Sequence, residues 1–239
     1  MITLAIDTCE ARGSVALRRD GRLMSLQRHE TPEDYSSWLL PAVENCLRQS
    51  ATELTKVDFL AVATGPGSFT GLRVGLTTAK AWAELYGKAV VGVSRLEVLA
   101  RLAGAEPGFV AASFDARRGQ VFGGLYEVGR GGGRSLIDQE MVIAPEEFVR
   151  WVHGHVGEKQ VRWATADAPI FEGLAHWREW ADRGDTLVSS DGGLAAGVAE
   201  LAEERARRGE TTDALRLDAN YVRRSDAEIF WKGPASHGR

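Results

Sequence analysis

Short apolar runs alternate with amphipathic stretches along the first hundred residues. Residues 2–6 and 59–63 are predominantly apolar runs of strand length. In residues 35–47 and 69–86, by contrast, apolar residues recur every three or four positions, as on one face of a helix. Strands that alternate with helices predict an α/β fold in which helices cover a largely parallel sheet.

The second half of the chain repeats the opening pattern of the first. The predicted strand at residues 2–6 ends at Asp7, and the one at residues 109–114 ends at Asp115. A polar turn and a second strand follow in each half. A duplicated α/β unit that opens with a hairpin is typical of the actin-like, sugar-kinase-like (ASKHA) class, in which two related domains face each other.

Composition shifts suggest where the two domains meet. Gly104, Pro107 and Gly108 interrupt the pattern and read as a linker. We therefore predict a first domain at residues 1–103, a second at residues 104–220 and a tail at residues 221–239. A predicted helix at residues 191–208 belongs to the second domain or packs back on the first.

Charge and cysteine content exclude several classes of protein. The chain has 29 basic and 33 acidic residues, so it lacks the basic balance of a typical nucleic-acid-binding protein. Its two cysteines, Cys9 and Cys46, form no metal-binding or disulfide pattern. No signal peptide and no membrane-spanning run is evident, so we expect a reduced, cytoplasmic protein without a membrane partner.

The glycine-rich stretch at residues 65–75 is the strongest local motif. It reads GPGSFTGLRVG, directly after a predicted strand. A phosphate-binding P-loop needs Lys and Ser or Thr after the last glycine, and a dinucleotide fingerprint needs the third glycine one position earlier. Two interpretations stay open: a tight turn that packs closely, or a turn whose N–H groups bind phosphate. The candidate nucleotide or phosphate contacts are Asp7, Thr8, Gly65, Gly67, Ser68, Asp115 and Arg117.

Two helix faces are candidates for a protein interface. Small residues recur every fourth position from Gly71 to Ala83, which lets another backbone approach closely, either the protein's own sheet or a partner helix. The preceding helix carries an aromatic-rich stripe, which suits an interface centre or simple burial. The predicted interface with a partner or a second copy comprises Tyr35, Trp38, Leu39, Gly71, Arg73, Gly75 and Ala79.

Four segments together resemble a known family. They are residues 2–7, the glycine stretch at 65–75, Gly92-Val93-Ser94, and the run DARRGQV at 115–121, in this order. Their combination is similar to the TsaB family, bacterial relatives of the threonylcarbamoyl transferase TsaD, and the resemblance spans essentially the whole chain. The sequence departs from the family at residues 219–223, where the terminal Pro-x-Tyr-Leu-Arg is altered, and at Tyr35, where a histidine is frequent.

The resemblance implies a non-catalytic partner subunit. TsaD transfers a threonylcarbamoyl group to the adenosine next to the tRNA anticodon and holds a metal through two histidines. The matching positions here are Arg95 and Leu99, which cannot share a metal. The resemblance further implies pairing with TsaD, an assembly that includes the ATPase TsaE, a homodimer when alone, and contact with tRNA only through the complex. We expect no catalytic residue, metal or cofactor of its own, with ATP or ADP restricted to the partner junction.

Two other functions stay open at this level. A stand-alone enzyme, either a small-molecule kinase or a glycoprotease-like metallopeptidase, would need its own nucleotide or metal site. A direct tRNA-binding module would need a local basic patch, which the net charge of −4 disfavours.

Overall fold

The computed structural model describes residues 1–30, 34–191 and 193–223, and it contains two five-stranded sheets. The elements of the first half are β1 (Ile2–Asp7), β2 (Ser14–Arg19), β3 (Arg22–Arg28), α1 (Tyr35–Gln49), a 3₁₀ turn (Leu54–Lys56), β4 (Phe59–Gly65), α2 (Phe69–Tyr86), β5 (Ala89–Ser94) and α3 (Arg95–Leu102). Those of the second half are β6 (Gly108–Arg117), β7 (Gln120–Val128), β8 (Arg134–Ile143), α4 (Pro145–Val156), β9 (Val161–Thr165), α5 (Ala168–Glu172), α6 (Trp177–Asp182), β10 (Thr186–Ser189) and α7 (Ala195–Arg207).

The first sheet has β1 at its centre. This strand pairs antiparallel with β2 and parallel with β4, in the order β3-β2-β1-β4-β5. Helices cover both faces of this sheet. Ile6 of β1 points at α2, and the opposite face meets α7, where the Ser14 hydroxyl of β2 accepts the backbone N–H of Ala195. Burial on both faces explains why β1 shows an apolar run and no clean alternation.

The second sheet repeats the first in order and direction. Its strands run β8-β7-β6-β9-β10, with β6 antiparallel to β7 and parallel to β9. Each half therefore opens with three meandering strands and continues with two parallel ones. This confirms the duplicated α/β unit that the sequence predicted.

Some elements of the second half escaped the sequence analysis. The strands β8 and β10 and the short helices α5 and α6 have no apolar run or clear amphipathic stripe. Every residue of β8 is at least partly exposed, because this strand lies at a sheet edge. The helix predicted at residues 191–208 starts later, at Ala195.

The last helix of each half contacts the sheet of the other half. The helix α3 packs against β6, β7 and β9, and α7 packs against β1, β2, β4 and β5. Both helices contribute to one apolar core that also includes β1 and β6 residues. This crosswise packing joins the two halves firmly on one side.

The glycine stretch leads into α2, the 18-residue helix that follows β4. The helix starts at the N-cap Ser68 and ends at Gly87, whose φ of +60° is the left-handed C-cap conformation that favours glycine. None of the helices in the described residues is both long and apolar enough to cross a membrane.

Candidate functional site

The glycine stretch lets three backbone segments approach one another. A Cβ at Gly71 would lie 2.0 Å from the carbonyl oxygen of Thr8, and one at Gly67 would lie 2.3 Å from that of Cys9. A Cβ at Gly65 would lie 2.9 Å from the carbonyl oxygen of Asn220. Real Cβ atoms do not come this close to backbone oxygens, so only glycine fits there. The shape of the stretch thus serves contacts within the chain, as the first interpretation predicts.

The start of α2 already uses several of its polar groups. The Ser68 side chain accepts a hydrogen bond from the N–H of Gly71 at 3.4 Å, so Ser68 is the N-cap. Its own N–H donates to the carbonyl of Cys9 at 2.6 Å. These bonds fix the turn against the segment that follows β1, and they occupy donors that a phosphate would otherwise bind.

Asp7 and Arg95 form a buried ion pair at the junction of the two halves. Arg95 Nε lies 3.2 Å from Asp7 Oδ2, and their side chains are 1% and 0% exposed. The Arg95 guanidinium also donates to the Pro66 carbonyl at 3.1 Å and lies 4.1 Å above the centre of the Phe114 ring. Arg95 therefore connects β1, the glycine stretch and β6.

The charges around this pair shift several pKa values. Burial by itself would lower the pKa of Arg95, but the nearby negative charges, led by Asp7, outweigh it and raise that pKa. Burial raises the pKa of the Cys9 thiol well above its usual range, and the charge of Asp7 adds to this. Burial also raises the pKa of Glu10, against the opposing charge of Arg95. Cys9 is accordingly a protonated core thiol and no nucleophile.

Two predicted phosphate contacts point into the protein. Asp7 is bound by Arg95, and the Thr8 hydroxyl donates to the Gly71 carbonyl at 2.7 Å. Both residues are essentially unexposed. A ligand would have to break these buried bonds to reach either side chain, and phosphate contact at Asp7 and Thr8 stays a prediction.

The stripe of small residues on α2 faces its own sheet. A Cβ at Gly75 would meet the Thr8 hydroxyl at 2.5 Å and Ile6 at 3.4 Å. Ala79 is fully buried, and Gly71 is buried as well. On α1, Trp38 and Leu39 are buried in the same core. Gly71, Gly75 and Ala79 thus pack on their own sheet and Trp38 in the core, and contact of these residues with a partner stays a prediction.

An exposed groove nevertheless runs between α1 and α2. It has a volume of about 550 Å³ and is mainly apolar. Of the predicted interface residues, Tyr35, Leu39 and Arg73 line it, together with Leu40 and Phe69, which are 56% and 42% exposed. We call it the α1–α2 groove. Partner binding at this groove stays a prediction.

A second and larger opening lies between the two halves. This interdomain cleft has a volume of about 1000 Å³ and receives Gly67 and Ser68 from the glycine stretch and Asp115 and Arg117 from the second half. Its other charged side chains among the described residues are Glu10, Arg73, Arg118 and Arg223. Four arginines against two carboxylates make the cleft positive in a chain of net charge −4.

The turn between β6 and β7 holds its arginines in an unusual conformation. Arg117 and Arg118 have φ values of +63° and +57°, followed by Gly119 at +69°. The Asp115 carboxylate accepts from the Arg117 backbone N–H at 2.7 Å and from its guanidinium at 3.0 Å, which stabilises the turn. The Arg117 side chain is 73% exposed and that of Asp115 is 27% exposed, so both can be reached from the cleft.

The sequence analysis missed the C-terminal contribution to the cleft. Asn220, Tyr221, Val222 and Arg223 line one wall, although they fall at the boundary of the predicted tail. The altered terminal motif at residues 219–223 was the available signal. Of the predicted tail at residues 221–239, the structure describes only residues 221–223.

The metal-ligand positions implied by the resemblance lie in the core. Arg95 is held by Asp7, and Leu99 is fully buried. The described residues contain no group of three or more His, Cys, Asp or Glu side chains that could hold a metal ion. Four histidines fall in these residues, and His237 lies outside them. Trp151, Trp177 and Trp180 pack with Trp163 and Phe148 in a separate core.

Comparisons with known proteins agree on one family. Residues 29–172 match the family model for TsaD, tRNA N6-adenosine threonylcarbamoyltransferase. The chain is 32% identical to the tRNA threonylcarbamoyladenosine biosynthesis protein TsaB of Escherichia coli over 97% of both chains. It is 34% identical to the TsaB of Bacillus subtilis over 60% of this chain and 63% of that one.

Solved structures confirm the fold. YeaZ from Pseudomonas aeruginosa superposes with a TM-score of 0.74 at 27% identity, over 92% of this chain and 99% of that one. A ROK hexokinase from Thermus thermophilus has a TM-score of 0.53 at 13% identity, over 87% of this chain and all of that one. The second likeness shows the actin-like, sugar-kinase-like fold alone. The chain belongs to the TsaB family of tRNA threonylcarbamoyladenosine biosynthesis proteins.

Proposed function

We propose that this chain is a non-catalytic subunit that binds TsaD and activates threonylcarbamoyl transfer to tRNA. The observation that carries the proposal is the exposed α1–α2 groove on a member of the TsaB family. The proposal places the chain in the cytoplasm, in an assembly that includes the ATPase TsaE, and it gives tRNA contact to the complex.

The groove has the composition of an interface centre. Leu40 and Phe69 expose large apolar side chains, and the Arg73 guanidinium lies 3.8 Å above the centre of the Phe69 ring. Aromatic residues and arginine that lie in a pocket are frequent hot spots of binding. Val74 and Thr77 extend the same wall along α2. Burial of this surface by a partner would remove apolar area from water.

The buried Arg95 supports the non-catalytic assignment. A metal-dependent relative needs two imidazole ligands on this helix, and the chain has a guanidinium and an aliphatic side chain there, both buried. Arg95 in addition forms an ion pair with Asp7, a hydrogen bond with the Pro66 carbonyl and a cation–π contact with Phe114. Of these contacts, the one with the Phe114 ring reaches the second half.

A matched pair of substitutions tests the interface. We expect Leu40→Asp to abolish co-purification with TsaD, because it places a charge in an apolar groove. Leu215→Asp is the control, because it makes the same chemical change at another place on the surface. The Leu215 side chain is 87% exposed. Equal recovery of TsaD with both variants would contradict the interface assignment.

Substitution of Gly75 is not suitable for this purpose. Because a Cβ there would meet the Thr8 side chain at 2.5 Å, Gly75→Trp would disrupt the packing of α2 on β1. A loss of TsaD binding would then report misfolding.

Reconstitution tests the activity. TsaD, TsaE, the adenylate-forming enzyme, ATP and tRNA are combined with and without this chain, and modified adenosine is quantified. We expect modification to require the chain and to be lost with Leu40→Asp. Equal modification in its absence would overturn the proposed function.

We propose the same apolar groove as the contact of a homodimer when the chain is alone. Light scattering coupled to size-exclusion chromatography should show a dimer for the wild-type chain and a monomer for Leu40→Asp. A wild-type monomer would exclude the homodimer and leave the TsaD proposal intact.

We further propose that ATP or ADP binds at the cleft only when a partner completes the site. The positive cleft and the accessible Arg117 support a phosphate-bearing ligand. Isothermal titration of the isolated chain should give no micromolar binding, and the complex with TsaD should bind. Micromolar affinity of the isolated chain would instead favour a stand-alone nucleotide enzyme.

A further inference from the structure

Residues 217–223 lie along the open side of the interdomain cleft and contact both halves. On the first half, the Asn220 N–H donates to the Thr64 carbonyl at 2.7 Å. The Tyr221 ring packs on Phe69 with centroids 5.4 Å apart, and Arg73 Nε donates to the Tyr221 hydroxyl at 3.3 Å. The segment is thus attached at the end of β4 and at the first turns of α2.

On the second half, the same segment uses its next side chains. The Asn220 side-chain amide donates to Glu140 of β8. Arg223 donates to the Ala116 carbonyl at 2.7 Å and to the Gln120 side chain, and its guanidinium lies 5.7 Å from the centre of the Phe122 ring. Ala116 and Gln120 flank the turn that carries Arg117 and Arg118.

The other side of the cleft is held differently. There the halves share an apolar core through α3 and α7, reinforced by the Asp7–Arg95 pair. Leu217 anchors the start of the segment in this core, but residues 220–223 make part-buried or exposed polar and aromatic contacts, which open more readily. On one side of the cleft the halves are therefore held by a shared apolar core, and on the other by contacts of lower local stability.

We propose that residues 217–223 act as a clasp that couples the α1–α2 groove to the β6–β7 turn. Phe69 and Arg73 line the groove and also hold Tyr221, whereas Arg223 holds the turn. A protein that engages Phe69 and Arg73 would change the contacts of Tyr221, and with them the arginines that face the cleft. The clasp goes beyond the proposed function, because the coupling would operate with any protein that binds the groove.

Coupling of this kind is reciprocal, so it can be tested from both ends. Hydrogen exchange is measured by mass spectrometry on the full wild-type chain and on two variants. Arg223→Ala removes the contacts with the second half. We expect about tenfold faster exchange in the first turn of α2, because the segment then opens as one unit. Phe69→Ala should in turn speed exchange in the β6–β7 turn.

Arg216→Ala is the matched control, since Arg216 lies just before the segment and its side chain is 83% exposed. It should leave exchange in both places unchanged. Gln120→Ala removes one acceptor of Arg223 from the opposite side and should reproduce the effect of Arg223→Ala to a smaller extent. Circular dichroism establishes that each variant is folded.

The clasp would be overturned if each substitution changed hydrogen exchange only in the half that carries its contacts. If Arg223→Ala and Gln120→Ala speed exchange in the second half while α2 stays protected, the two ends are independent. The readout does not involve TsaD, so a failure of the clasp and a failure of the proposed function are distinguishable.

Discussion

The two halves of the molecule use the same local pattern for opposite purposes. Asp7 and Asp115 each lie near the end of the first strand of a duplicated unit, and each is paired with an arginine. Asp7 is fully buried against Arg95, whereas the Asp115 side chain is 27% exposed and its partner Arg117 is 73% exposed. The first pair is buried beneath Phe114 of the second half, and the second faces an open cleft.

The difference comes from which helix arrives beside each aspartate. Arg95 is the first residue of α3, the helix that follows β5 and packs between the two sheets. The corresponding helix of the second half, α7, begins at Ala195 and packs on the first sheet. Asp115 is therefore paired with an arginine of its own turn. A shared motif thus acquires its role from the element packed against it.

The largest expected effect breaks the buried pair. We expect Arg95→Met to lower the free energy of unfolding by about 3–5 kcal/mol, because it leaves the Asp7 carboxylate buried without its partner. Arg117→Met should cost about 1 kcal/mol or less, as is typical of an exposed ion pair. Urea denaturation of both variants measures the contrast.

A double substitution separates charge from packing. Asp7→Asn combined with Arg95→Met removes both charges. The asparagine keeps a side-chain oxygen for the Cys9 N–H, which in the wild-type chain donates to Asp7 at 3.0 Å. The double variant should be more stable than Arg95→Met alone. Equal losses for Arg95→Met and Arg117→Met would show that the two pairs do not differ in the way their burial indicates.

Helical glycines give the next largest contrast. Gly71→Ala should destabilise the protein by about 1–3 kcal/mol, the usual cost of overpacking, since its Cβ has no room beside the Thr8 carbonyl. Gly154 lies in α4 of the second half, and no atom lies within 4 Å of a Cβ there. Gly154→Ala should stabilise by about 0.5–1 kcal/mol through higher helix propensity. Thermal unfolding of the two variants should shift in opposite directions.

The smallest expected effect concerns Glu10, beside the first-half aspartate. Burial raises its pKa above the ordinary 4.5, so the folded state binds the proton more tightly than the unfolded state. Stability from this group is therefore greatest in acid and falls as pH rises from 4.5 through the raised pKa.

Glu10→Gln should remove this loss and be more stable than wild type at neutral pH. The stability difference should shrink as pH falls below the unfolded-state pKa, because the wild-type carboxyl is then neutral in both states. Unfolding curves recorded across that range measure it. A wild-type chain that is the more stable one at neutral pH would show that charged Glu10 is favoured by its surroundings.

Sequence reasoning predicted most of the first half. Its central strands and helices carry strong apolar runs and stripes, as in β4 and α2, because they are covered on one or both faces. The dipeptide Asp20-Gly21 is a local signal of the same kind, because Asp-Gly favours a hairpin turn and the φ values of +51° and +78° match one. The edge strand β8 was missed because solvent exposure on its residues erases the pattern.

The candidate site was only partly readable. Spacing identified the small-residue stripe of α2, but spacing is the same whether a helix packs on its own sheet or on a partner. The close approach of Thr8 to Gly71 decides that it is the sheet. The contribution of Tyr221 and Arg223 was missed, because the altered motif at residues 219–223 marks the segment but does not show which distant residues it contacts.

The sequence by itself determined the duplicated α/β unit, the family and the two strand-Asp-turn motifs, because these depend on local periodicity and ordered motifs. Only the tertiary structure decided which aspartate is buried, which face of α2 is free and where the C-terminal segment lies. Those outcomes depend on contacts between residues far apart in the chain. Burial makes one Asp–Arg pair part of the core, whereas the other Asp–Arg pair stays accessible from the cleft.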